Sequence, residues 1–140
     1  MKIVVNSKSE KDTFNVGKML AEKMVGGEVI IYEGELGAGK TVFSKGLASG
    51  LGVEDIVTSP TFTILNIYKG TKLNLYHFDM YRLEDEDEAK ELGFEEYIKN
   101  PNGVCAIEWA SQTKSLLPEN VYKVIIKKIS DEEREITILF

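Results

Sequence analysis

Gly34-Glu35-Leu36-Gly37-Ala38-Gly39-Lys40-Thr41 fills every fixed position of the pattern G-x-x-x-x-G-K-[ST]. What lies on either side decides how that pattern is read. Val29-Ile30-Ile31-Tyr32 precedes it, an apolar, β-rich run that predicts a buried strand. Lys40 to Leu51 follows, with Val42, Phe43, Leu47 and Leu51 spaced to share one helical face. A plain glycine turn before an ordinary helix is the alternative, and the strand–loop–helix setting argues against it. The glycines let successive backbone N–H groups turn inward around an anion, where a Cβ would clash. The helix N-terminus brings partial positive charge to the same point. In such a loop Lys40 reaches the β- and γ-phosphates, and the Thr41 hydroxyl ligates magnesium. The reading predicts a site for a nucleoside triphosphate.

The chain has 140 residues, 43% of them apolar, which suits one domain spanning residues 1–140 with a real core. Its net charge of −6 comes from 23 acids against 17 bases, of which only Arg82 and Arg134 are arginines. A protein that grips a nucleic-acid backbone by itself needs a concentrated basic face, so direct binding of that kind is disfavoured. Action on RNA within a larger assembly stays open. Cys105, the single cysteine, sits in the apolar run Val104 to Ile107 and reads as a core residue. With no intrachain disulfide to form, the chain suits a reducing compartment. The N-terminus turns polar too soon for a signal peptide, and no apolar run approaches the roughly 20 residues that span a bilayer. A cytoplasmic protein without membrane contact is expected.

Ile3 to Val5 reads as an opening strand, and Ser9 with Asp12 as the cap of a helix. That helix places Phe14, Gly17, Leu20, Ala21 and Met24 on one stripe and ends at Gly26-Gly27. Gly52 is expected to close the helix after the glycine loop. From Thr61 to Asp79 the period becomes two. Phe62, Ile64, Asn66 and Tyr68 alternate with Thr63, Leu65 and Ile67; a turn at Lys69 to Lys72 follows, then a strand from Leu73 to Phe78. Glu84 to Glu88 is a run of five acids, read as a solvated helix start, with a docking face for a basic partner as the sharper reading. Asn100 to Gly103 marks a turn before the strand Val104 to Ile107. Val121 to Ile129 and Glu135 to Phe140 form a closing hairpin. The expectation is an α/β fold with a mostly parallel central sheet, antiparallel additions and flanking helices.

A triphosphate site also needs a carboxylate near magnesium and a group to orient water, both at the carboxyl ends of neighbouring strands. Asp79 closes one strand and Glu108 another. Four apolar residues and then an acid, as at Glu108, is a weak signal alone, made useful by the strong glycine loop. Asp79 reads as a metal residue or a turn residue; Glu108 as a catalytic or metal residue or half of an ion pair. Ser59-Pro60-Thr61-Phe62 offers hydroxyls that reach the γ-phosphate or cap their own turn. His77 shares a strand face with Asp79, and sensing the site stands beside plain packing. Arg82 reads as a phosphate or partner contact, or an exposed ion pair. Trp109 either covers the nucleotide or packs in the core.

Together, Gly34 to Thr41 with Phe43, Ser59-Pro60-Thr61-Phe62, His77-Phe78-Asp79-Met80-Tyr81-Arg82-Leu83 and Ile107-Glu108-Trp109 resemble the TsaE (YjeE) family. These are P-loop ATPases of tRNA threonylcarbamoyladenosine biosynthesis. The resemblance runs from about Gly34 to Trp109. It implies a P-loop NTPase-like fold, with ATP and magnesium as ligands and the TsaB and TsaD proteins as partners. It also implies ATP turnover that resets a complex modifying the adenosine next to the anticodon, so that tRNA is met only indirectly. By position, Glu35, Leu36, Gly37, Ala38, Gly39, Lys40, Thr41 and Val42 line the nucleotide, with Thr61 and Trp109 near it. Lys40 and Glu108 support hydrolysis; Thr41, Asp79 and Glu108 serve the metal. Two positions depart from the family pattern. Val42 stands where a second threonine is usual, a loss of about 0.5–1.5 kcal/mol if that hydroxyl bonds phosphate. Glu35 replaces an aspartate and keeps its charge.

A GTPase is disfavoured because no Asn-Lys-x-Asp occurs and Arg82, not glycine, lies three residues after Asp79. A small-molecule kinase would close an arginine-bearing lid over the transferred phosphoryl group, and two arginines fit that poorly. A nucleotide-gated binding module without meaningful turnover is the third reading. ATP consumption only in the presence of partners separates it from an ATPase.

Overall fold

The computed structural model describes residues 1–35, 38–55, 57, 64–81, 83 and 85–140, with the side chains of 111 and 112 excepted. Its elements are β1 (Lys2–Ser7), α1 (Glu10–Glu22), β2 (Val29–Glu33), α2 (Lys40–Gly50), β3 (Leu65–Tyr68) and β4 (Asn74–Asp79). There follow α3 (Glu86–Glu91), α4 (Phe94–Tyr97), β5 (Gly103–Glu108), a 3-10 helix (Ala110–Leu116), β6 (Tyr122–Lys128) and β7 (Arg134–Leu139). One sheet forms in the order β1-β7-β6-β2-β5-β4-β3. The neighbours β6, β2, β5 and β4 pair in parallel, while β7, β1 and β3 join through antiparallel pairings. This is the expected α/β arrangement.

Helices cover both faces of the parallel centre, and this is why its strands read as unbroken apolar runs. Successive residues go to opposite cores. Ile30, Tyr32, Leu75, Val104 and Ala106 pack with α1 and α2; Val29, Tyr76, Phe78, Cys105 and Ile107 pack with Phe94 of α4. Every residue of β5 is buried. Burial pushes the Cys105 thiol up to about 12, so it stays protonated within the core.

Local sequence signals act as expected at several termini. Ser9 Oγ accepts from Asp12 N at 3.1 Å, and Asp12 Oδ2 accepts from Lys8 N at 3.0 Å. Asp85 Oδ1 accepts from Glu88 N at 3.1 Å, so the described part of the acid run caps and starts α3. The β3–β4 hairpin pairs Asn66 with His77 and Leu65 with Phe78; Thr61 to Thr63 lie outside the described residues. Two details differ. Phe14 is only half-buried, and Thr13 and Val16 take its place on the α1 stripe. Val42 leaves the face of Phe43, Leu47 and Leu51 and looks into a cavity, because one step along a helix turns a side chain by about 100°.

The two helices on the first face meet backbone to backbone. A Cβ placed at Gly17 would fall on the carbonyl oxygen of Phe43, and one at Gly46 on that of Phe14. The contact is reciprocal, each glycine facing the other helix four residues or fewer from its partner's. A methyl group at Gly46 must push α1 and α2 apart. We expect Gly46→Ala to cost about 1–3 kcal/mol or more, visible as a lower urea midpoint. An unchanged midpoint would show that the helices do not touch there.

Candidate functional site

The carboxyl ends of β2, β5 and β4 bring three parts of the sequence to one place. Gly34 follows β2, Glu108 ends β5, and Asp79 ends β4 directly opposite Glu108 in the ladder. Gly39 has φ 108° and occupies the cap position of α2, where no side chain caps the helix. A left-handed residue is needed there, and glycine takes it without strain. The N–H groups at the start of α2 are therefore not served by a side-chain acceptor, as an anion site requires.

Lys40 and Glu108 are both buried, with 7% and 6% of their surface exposed. The Lys40 ammonium donates to Gly34 O at 3.2 Å and lies 3.7 Å from Glu108 Oε1. It also sits 4.8 Å from the centre of the Trp109 ring. On the other side of Glu108, His77 Nε2 is 2.9 Å from Oε2, and His77 is wholly buried. Burial opposes ionisation of Glu108, but the hydrogen bond and charge of His77, then the charge of Lys40, outweigh it and hold the carboxyl below the usual glutamate range. Tyr32 meets the His77 ring edge-on at 6.3 Å, and its hydroxyl accepts from Ser44 Oγ at 2.9 Å. Burial pushes the Tyr32 hydroxyl's pKa up.

Trp109 is not core. It is 41% exposed, has φ 59°, and meets Tyr81 at 5.3 Å. A left-handed aromatic residue is strained backbone of the sort that collects at functional sites. It ends β5 and sends the chain into the 3-10 helix. Asp79 is half-buried, and its Oδ1 accepts from Tyr81 N at 3.0 Å, so the turn reading of Asp79 holds for one oxygen. Among the described residues no group of three or more His, Cys, Asp or Glu side chains could hold a metal. A cation here would need Thr41 and phosphate oxygens beside carboxylates.

A cavity of about 630 Å³ opens from Lys40, Thr41 and Val42 toward Ser9 and Thr13 at the start of α1 and Arg134 at the start of β7. Arg134 Nε donates to Ala38 O at 2.9 Å, and its Nη1 donates to Ser130 O, Asp131 O and Glu133 O at 2.7, 3.2 and 3.0 Å. One side chain thus ties the last hairpin to the glycine loop. Sequence reasoning did not find Ser9, Thr13 or Arg134 as parts of the site; only the scarcity of arginine hinted at the last. Of the expected residues, Gly39, Lys40, Thr41, Val42 and Glu108 line this cavity; Trp109 lines a neighbouring one that shares Lys40, and Asp79 stands beside Glu108 in the sheet. Glu35 is exposed, and its carbonyl accepts from Ala38 N at 3.0 Å. Leu36, Gly37, Thr61 and Arg82 lie outside the described residues.

Residues 7–136 match the family model described as "Threonylcarbamoyl adenosine biosynthesis protein TsaE". The tRNA threonylcarbamoyladenosine biosynthesis protein TsaE of Bacillus subtilis (strain 168) is 47% identical over 127 residues, covering 91% of this chain and 78% of that protein. Its counterpart in Treponema pallidum (strain Nichols) is 42% identical over 132 residues, 94% of this chain and 96% of the other. The crystal structure of Bacillus subtilis YdiB superposes with a TM-score of 0.83 at 38% identity, covering 99% of this chain and 84% of that one.

The ionised Glu108 also bears on stability. Its folded pKa is lowered, so the unfolded chain binds a proton more readily. The carboxylate's contribution is therefore present above the unfolded value of about 4.3 and is lost as pH falls from there through the folded value. Urea unfolding across that acidic window should show a smaller loss for Glu108→Gln than for the wild type. Equal slopes would remove Glu108 from the charge cluster.

Proposed function

The chain belongs to the TsaE family and to tRNA threonylcarbamoyladenosine biosynthesis, and from that premise we propose that it binds ATP with magnesium and hydrolyses it. The observation that carries this reading is the buried Lys40 ammonium between the carbonyl end of β2 and Glu108, at the uncapped start of α2. The glycine-capped helix start leaves its N–H groups free of any side-chain acceptor beside that ammonium, which supports a phosphate there. The residues fit the ligands. The start of α2 and Lys40 take the phosphates, and the cavity running to Ser9, Thr13 and Arg134 has room for a nucleoside. Thr41 and the paired strand ends Asp79 and Glu108 would hold magnesium, which when bound neutralises charge on the β- and γ-phosphates.

The chain's own groups have separate tasks. Lys40 exchanges its contact with Glu108 for one with phosphate. Glu108, ionised at neutral pH, is then available to accept a hydrogen bond from water and orient it toward the γ-phosphate. Trp109 and Tyr81, exposed at the same rim, limit water and report occupancy. Turnover would reset the modification machinery, with the TsaB and TsaD proteins as partners, the tRNA met only through them and the cytoplasm as the place of action. Only two arginines, with Arg134 bound to backbone carbonyls, speak against a kinase lid.

Lys40→Ala should weaken ATP binding by about 10- to 100-fold, the scale of one or two charge-assisted hydrogen bonds. Titration calorimetry checks it; undiminished affinity removes Lys40 from the phosphates. Glu108→Gln should keep ATP bound while hydrolysis, assayed with both partner proteins, falls by about 10²-fold or more. If repeated-turnover tRNA modification in a reconstituted system proceeds equally with Lys40→Ala, ATP turnover is not what the chain contributes.

A further inference from the structure

The wholly buried His77 has no evident reason to be a histidine if it only fills space. A leucine or phenylalanine would fill the same space but would leave the buried Glu108 carboxylate without this partner. Its Nε2 lies 2.9 Å from Glu108 Oε2, while its Nδ1 is buried with no hydrogen-bond partner among the described residues. That asymmetry favours Nε2 as the donor. A ring with its proton on Nδ1 would bury an unpaired donor and set a lone pair against a carboxylate. A ring with its proton on Nε2 donates to Glu108 and leaves only an unpaired acceptor, the cheaper of the two vacancies. Tyr32 fixes the ring edge-on from the side of α2, and β3 and β5 flank the strand that carries it.

We propose that His77 is a positioning residue: through an Nε2–H bond to Oε2 it fixes the rotamer of Glu108 and leaves Oε1 facing the cleft, where Lys40 now lies. It touches neither nucleotide nor water. It acts through Glu108, so its effect falls on turnover and not on affinity. This rests on the reading of Glu108 as the group that orients the attacking water.

His77→Leu removes the donor; His77→Gln retains one at the same reach. His77→Leu should bind ATP with magnesium within about twofold of wild type, while kcat with the partner proteins falls about 10- to 100-fold, the usual scale for a supporting hydrogen bond. His77→Gln should restore most of that loss. In a Glu108→Gln background, His77→Leu should add nothing further. Because His77 is the chain's single histidine, a nitrogen NMR spectrum of the wild-type protein at pH 8 isolates its ring. It should show a proton on Nε2. A bare Nε2, unchanged kcat in His77→Leu, or equal losses in kcat and affinity would overturn the proposal. If wild type hydrolyses ATP no faster than Lys40→Ala, the hydrolytic reading itself fails and takes this one with it. That outcome differs from one in which only the His77 variants behave as wild type.

Discussion

The width of the cleft is set by two helices that touch without side chains between them. Gly17 and Gly46 let α1 and α2 approach until each helix's carbonyl oxygen occupies the other's Cβ space. Both helices also begin at the cleft: Ser9 and Thr13 at the start of α1, Lys40 to Val42 at the start of α2. Packing midway along the helices therefore determines how far apart their first turns stand. Ser7, at the end of β1, shares a 2.7 Å hydroxyl contact with Thr13, so the sheet's far edge is held to the same wall. A core contact far from the cleft mouth thus fixes the distance between its two walls.

Lys40 with Glu108 is a buried ion pair, and such pairs are weak evidence of stability. Removing two charges from water costs several kcal/mol each, and their mutual attraction only repays it when geometry and further hydrogen bonds are good. Here Lys40 also has a carbonyl and an aromatic face, and Glu108 also has a histidine. The cluster fits the anion site proposed above better than a purely stabilising role. A protein needing only stability would have placed apolar groups there.

The parallel centre of the sheet was legible because covered strands give unbroken apolar runs, and Val29 to Tyr32 and Val104 to Ile107 are such runs. The places of Glu108 and Asp79 at the carboxyl edge of the sheet were legible because an acid directly after an apolar strand stands there by geometry alone. The cap at Ser9 was readable from local chemistry; the acid run showed a helix start but not that Asp85 caps it. Arg134 was not, because its 2.9 Å bond to Ala38 O crosses 96 positions of chain and depends on how the last hairpin folds back. The 3-10 helix after Trp109 and the four-residue α4 also escaped, being too short for periodicity to show. His77 gave only its strand face; its partner became visible once β4 and β5 were seen side by side.

Trp109 is the chain's single tryptophan, and the fold has stacked a cation over its face and a phenol at its edge. An excited indole responds to nearby charge. Any displacement of the lysine changes the electric field on that ring, so the protein's own ultraviolet emission should respond to it without any attached dye. The strained aromatic at the strand end makes this molecule its own optical gauge.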